Sequence, residues 1–172
     1  MLNYERGSEW RRWDLHIHTP QTLKNDQYEG KTVDEKWGNF YNTIAHYIGD
    51  GTDPLKTIEV IGITDYLSID NYNKVIEDGR LPESIKLVLP NVELRMVPLA
   101  KKYPVNIHCI FDPAYADSLE SRFFSKLKFS FGDSSYSASH DELIRLGRDY
   151  QNDKTLSKDS AYIVGVNQFV LE

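Results

Sequence analysis

One cysteine, Cys109, stands in 172 residues. No intrachain disulfide can form and a thiolate zinc cluster is excluded, so any metal must be held by histidine, carboxylate and water. No apolar run approaches the length of a membrane span, and Met1 to Arg6 lacks the apolar core of a signal peptide. A cytoplasmic location with no membrane partner is therefore expected. A basic excess is also lacking: the net charge of −6 argues against a general phosphate-coating surface. It leaves room for a local site, because metal ions in a carboxylate-histidine pocket supply positive charge where it is needed. The pairs Arg11-Arg12 and Lys101-Lys102 read as solvated flanks of strands. There is no Gly-x-x-x-x-Gly-Lys-Ser/Thr, so nothing in these residues binds ATP through a P-loop. Repeats and low-complexity tracts are absent too. What remains is a chain of the size and composition of one soluble domain.

The stretch Trp13-Asp14-Leu15-His16-Ile17-His18-Thr19-Pro20 alternates apolar with polar and reads as a strand stopped by proline. Strict alternation points Asp14, His16 and His18 the same way, the first fragment of a divalent-metal site. Residues 1–11 form a lead-in arm and 19–36 a loop. Asn39 to Ile48 is a helix by the spacing of Phe40, Ile44, Tyr47 and Ile48, with Gly49 and Gly51 as stops and His46 on its surface or at its end. Thr57 to Thr64 is a β-branched run of the kind found in buried parallel strands, ending in Thr64-Asp65-Tyr66. Ser68 to Asp78 suggests a short helix. A third strand spans Lys86 to Met96, interrupted at Pro90-Asn91 and carrying Glu93 alone between Val92 and Leu94. Val105 to Phe111 is a fourth, with His108 inside it.

Beyond residue 112 the pattern turns helical. Ala116, Leu119, Phe123 and Leu127 mark one face of a helix. Ser139-His140-Asp141-Glu142 has the form of a capping box, which makes His140 a structural first residue. A polar loop covers 151–160, and the type of the apolar segment Ala161 to Val170 is left open. Alternating strands and helices indicate an α/β fold with a mostly parallel sheet, in which ligands bind at the carboxyl ends of strands. Burying a carboxylate and imidazoles among Val, Leu and Ile is costly without a partner, and a shared metal compensates them together. The mixed nitrogen and oxygen set suits Zn²⁺, Mn²⁺ or Fe²⁺.

In order and spacing, Asp14-Leu15-His16-Ile17-His18, Gly62-Ile63-Thr64-Asp65, Pro90-Asn91-Val92-Glu93-Leu94 and Asn106-Ile107-His108 resemble the first motifs of the PHP (polymerase and histidinol phosphatase) family. Gly7-Ser8-Glu9-Trp10 and Tyr66 resemble the branch in which such a domain precedes an AAA-like P-loop ATPase region. The resemblance implies a distorted, here partial, β/α barrel with a metal site that hydrolyses a phosphoester, that of a nucleic acid included, in a protein that carries the ATPase region downstream. It implies His16, His18, Asp65, Glu93 and His108 as metal ligands, Glu93 in the bridging place, and Asp65 and Tyr66 as the catalytic candidates.

Two departures qualify it. Tyr66 stands where most members have a histidine ligand, and a phenol substitutes poorly for imidazole at neutral pH. The closing motifs, including an Asp-x-His, are not found after residue 112. Either the site is intrinsically reduced, or 1–172 is a single-domain piece of a longer chain, with core motifs at 12–112 and a helical and loop region at 113–172. The apolar ending Gln168-Phe169-Val170 favours the second, and Leu171-Glu172 would suit a cloning scar. The expectations are five ligands in one pocket, a sheet left open on one side, and at most one tightly held ion. The competing function is a degenerate scaffold or binding module without turnover; a plain α/β domain with unrelated histidines is the third reading.

Overall fold

The computed structural model describes residues 11–24, 26–49, 51–53, 56–97 and 104–171. The lead-in arm before Arg11 and the Lys101-Lys102 pair lie outside them. Strands β1 (Arg12–His18), β2 (Ile58–Tyr66), β3 (Leu87–Met96) and β4 (Val105–Ile110) form one curled sheet in that order. The first three are parallel and β4 runs antiparallel to β3. The fold is thus α/β with a mixed, mostly parallel sheet shaped as a half-barrel.

Helices α1 (Val33–Ile48) and α2 (Asp70–Asp78) are the crossovers between the parallel strands. Trp37, Phe40, Tyr41, Ile44 and Ile48 bury one stripe of α1 at three- and four-residue steps. They join Ile61, Ile63, Val92 and Leu94 in the core. The helix begins six residues before the expected Asn39. Its first turn is polar and carries no apolar signal, but Thr32 Oγ1 accepts from the Glu35 amide at 3.2 Å and Glu35 reaches back to the Lys31 amide at 2.6 Å. Thr32 is thus the side-chain cap that opens α1. At α4 (His140–Gln151) the expected box does not form: Ser139 makes no capping bond, its hydroxyl meets Ser137 at 2.9 Å, and Glu142 pairs with Arg145.

Pro90 does not interrupt β3. Its carbonyl accepts from Phe111 N at 3.0 Å, just past the last residue of β4, so its missing N–H points where the ladder has already ended. The helix expected through Ala116 and Leu127 is instead a 3₁₀ turn (Pro113–Ser118), one turn of helix α3 (Leu119–Arg122) and a second 3₁₀ turn (Phe124–Lys126). Phe123 breaks it, leaving helical geometry at φ −118° to pack edge-on against Phe111. A hairpin of β5 (Lys128–Phe131) and β6 (Ser134–Ser137) follows, turned by Gly132 at φ +59° and Asp133. The open segment at the end is helix α5 (Lys158–Gln168).

Helices α4 and α5 cross at backbone contact. A Cβ on Gly147 would lie 1.8 Å from the Ala161 carbonyl oxygen, and one on Gly165 1.9 Å from that of Leu143. After α5 the chain returns to the sheet, where Leu171 bonds to Arg95 O and Val97 N beyond the end of β2. Among the described residues, that single bridge is all that residues past 112 add to the main sheet. No helix among them is long and apolar enough to cross a membrane.

Candidate metal centre

Register and alternation divide the sheet into two chemical faces. Ile61, Ile63 and Asp65 of β2 share one parity with Val92 and Leu94 of β3, and this face carries the core. Thr64 and Tyr66 pair with Asn91 and Glu93, Glu93 pairs with His108, and Arg95 pairs with Asn106, forming the second, polar face. His18 sits beside Thr64 and joins it.

Strand β1 reaches that face through a bulge. Asp14 pairs with Ile61 but Ile17 with Ile63, so β1 spends three residues where β2 spends two. The cause is local: the Asp14 carboxylate accepts from the His16 amide at 3.2 Å. Asp14 therefore lies beside Ile61 rather than with His16 and His18, and the strict alternation expected across the three residues fails. Asn91 fastens the bulge, its Nδ2 donating to Leu15 O at 2.6 Å and to Thr64 Oγ1 at 3.0 Å. Gly62 makes room for it, since a Cβ there would lie 2.4 Å from the Leu15 carbonyl oxygen.

His16, Glu93 and His108 each place a ligand atom within 4.8 Å of the others. The His16 and His108 rings stand 4.4 Å apart between centroids. His18 adjoins them, with its Nε2 3.0 Å from His16 Nε2 and 3.9 Å from Glu93 Oε2. The shorter distance is that of a hydrogen bond between the two rings, one nitrogen donating and the other accepting. The carboxamides set the orientation of the remaining donors. Because Asn91 spends its NH₂ on Leu15 and Thr64, its Oδ1 faces His108 Nδ1 at 3.2 Å as an acceptor. Nδ1 then carries the proton and Nε2 the free lone pair. Asn106 Nδ2 donates to Glu93 Oε1 at 2.6 Å and steadies the carboxylate.

Burial, followed by the charge of neighbouring His16, holds His18 and His108 below the usual imidazole range, against the opposing pull of Glu93. Neutral imidazoles are what a cation requires. His18 Nδ1 is buried and has no partner. Two histidines and one carboxylate, His16, Glu93 and His108, form a group that could hold a metal ion, with His18 beside it.

Asp65 and Tyr66 part company. Asp65 is on the core face, 3% exposed, and its two oxygens accept from Asn71 N at 2.8 Å and Asn71 Nδ2 at 2.7 Å. It caps the start of α2, away from the histidines. Tyr66 does share their face next to Glu93, but its hydroxyl accepts from Arg95 Nε. His108 lies mid-strand in antiparallel β4 instead of at a carboxyl end, and it reaches the cluster by pairing with Glu93. His140 is far along the chain in α4, stacked at 4.6 Å on Tyr162. Sequence reasoning missed the orienting amides Asn91 and Asn106. Their signal was parity, for each stands two residues from a ligand on its own strand.

Comparison with protein-family models, with curated proteins and with solved structures returned no match for this chain.

Proposed function

We propose that this chain is a PHP-like metal-dependent phosphoesterase domain that holds one divalent ion, Zn²⁺, Mn²⁺ or Fe²⁺, on the polar face of its half-barrel. The observation that carries the reading is the convergence of His16, Glu93 and His108 from three strands, with His18 beside them. A bound ion there would polarise a phosphoryl oxygen and lower the pKa of a coordinated water. The chain's own residues hold donors ready for it: Asn91 fixes the His108 tautomer, Asn106 orients Glu93, and the β1 bulge sets both histidines of the first strand on one side. The substrate class is a phosphoester, free or in nucleic acid, and a downstream ATPase region belongs to the same proposal.

A second reading, a binding scaffold without turnover, draws on Asp65 and Tyr66. Both are engaged elsewhere, by Asn71 and Arg95, which leaves the ligands of one ion. Elemental analysis after metal loading, with hydrolysis of an aryl phosphate, tests the two. The first reading expects one stoichiometric ion and measurable turnover, both lost in His16→Ala/His108→Ala while the circular dichroism is retained. Stoichiometric metal without turnover selects the scaffold. Metal retained by the double variant refutes the site.

A further inference from the structure

Beside the metal group, the polar face carries two cations, Lys24 and Arg95. Arg95 is two residues along β3 from Glu93, on the same parity. Its Nε donates to the Tyr66 hydroxyl and its Nη2 to the Asn167 carbonyl, and its guanidinium carbon lies 5.4 Å from the Tyr66 ring centroid. Lys24 approaches the same ring from the loop after β1, with Nζ also 5.4 Å from the centroid. Among the described residues, neither cation forms a salt bridge.

The loop that delivers Lys24 is fastened on either side of it. Gln21 Oε1 accepts from Trp37 Nε1 at 2.8 Å, and Asp26 accepts from Lys36 Nζ at 2.8 Å, both partners belonging to α1. Two like charges held around one phenol repel each other: burial, followed by the charge of Arg95, depresses the Lys24 ammonium against the opposing pull of Glu93. An anion lodged between them would reverse that repulsion, and a phosphoryl group offers several oxygens to do so.

We propose that Lys24, Tyr66 and Arg95 form an oxyanion subsite adjoining the His16, Glu93 and His108 group, which receives the non-reacting oxygens of a terminal phosphoryl group. The subsite rests on the phosphoesterase reading for its purpose but not for its existence. Arg95 also ties α5 to the sheet through the Asn167 carbonyl while bracing Tyr66, a duty that is structural by itself. Lys24 has no such duty, and its placement over the same ring marks the subsite. A dianionic phosphomonoester matches two cations better than the single charge of a diester or a carboxylate.

Inorganic phosphate is titrated into the protein by NMR, once in chelator and once after zinc loading, with acetate as the comparison anion. The expected result is saturable phosphate binding weakened at least fivefold in Lys24→Gln in either condition, with acetate at least tenfold weaker than phosphate. Arg95→Gln should weaken phosphate at least as much; should it fail to fold, Lys24→Gln, on the surface loop, still decides. Phosphate affinity unchanged in Lys24→Gln, no phosphate binding in either condition, or acetate bound as tightly as phosphate would overturn the proposal. The two failures separate cleanly. Zinc that does not bind while phosphate still responds to Lys24 removes the metal and keeps the subsite. Zinc that binds while phosphate ignores Lys24 does the reverse.

Discussion

Replacing Asp65 by asparagine separates the two roles available to that carboxylate. Burial pushes its pKa up to about 7, against an ordinary 3.8, although hydrogen bonds from Asn71 and the Tyr72 amide favour the charged form. The unfolded chain gives up this proton first as pH rises. Between about 4 and 7 the native state therefore binds more protons than the unfolded state, and stability falls across that window until it levels off above about 7. A gap of that size is worth on the order of 4 kcal/mol, an upper bound for a partly relaxing buried site. Asparagine has no such proton and can still accept from the Asn71 amide as a cap. Relative to wild type, Asp65→Asn should thus gain about 2 to 4 kcal/mol of stability on going from pH 4.5 to pH 8. Urea unfolding at the two pH values measures this, and the histidine contributions common to both proteins cancel in the difference. A stability difference that stays flat with pH would show that the burial argument is wrong. The same variant should bind zinc within twofold of wild type; a hundredfold loss would put Asp65 among the ligands and overturn the division of the sheet into two faces.

Gly62→Ala should lower stability by about 3 kcal/mol and the melting temperature by roughly 6 to 12 °C, because its methyl group meets the Leu15 backbone at 2.4 Å. Zinc affinity should fall with it, since the same bulge carries His16; a variant as stable and as tight as wild type would refute the close approach. Gly165→Ala should cost about 3 kcal/mol or more by prising α5 from α4, with metal affinity unchanged in whatever fraction remains folded. In the metal-free protein, His18 and His108 contribute stability that is present above about pH 6.5 and lost as pH falls toward their depressed values. His18→Gln should flatten that acid limb in urea titrations between pH 7 and pH 5, and an unchanged limb would count against the burial of its ring.

The four main strands were legible in the sequence almost to the residue, because β-branched runs and two-residue alternation are backbone signals that tertiary contacts reinforce. The convergence of His16, Glu93 and His108 followed from them. Asp14 was misplaced for a reason internal to the rule: alternation assumes that a side chain ignores its own backbone, and Asp14 bonds to the amide two residues on. Asp65 was a different failure, since the information was present. In Ile61-Gly62-Ile63-Thr64-Asp65-Tyr66, counting by twos groups Asp65 with the core isoleucines and Tyr66 with Thr64. Proximity to a strand end had been weighed above parity. The start of α1 was hidden in a polar turn capped by the Thr32 side chain, and the hairpin in Phe131-Gly132-Asp133-Ser134, a two-residue turn signal set among helix-like spacings. The antiparallel course of β4 was not legible at all, for strand direction depends on what the chain does between strands.

Parity also explains how one strand can supply several parts of the site. Along β3, the steps Asn91, Glu93 and Arg95 place the orienting amide, the carboxylate ligand and the guanidinium on one face, while Val92 and Leu94 between them are at most 1% exposed in the core. A slip of β3 by one residue would exchange the two sets, setting a charge in the core and two aliphatic side chains beside His16 and His108. Packing therefore selects the register that sets Glu93 on the polar face, and Asn106 then orients its carboxylate. β1 has no such guarantee, being an edge strand whose alternation is broken by the bulge. Its histidines depend instead on three specific contacts: Asp14 to the His16 amide, Asn91 to the Leu15 carbonyl, and the space left by Gly62. Substitutions of Val92 or Leu94 on the core face of β3 should accordingly damage fold and site together, whereas Asn91→Ala on its polar face should loosen His16 and free the His108 tautomer, weakening metal far more than it lowers the melting temperature.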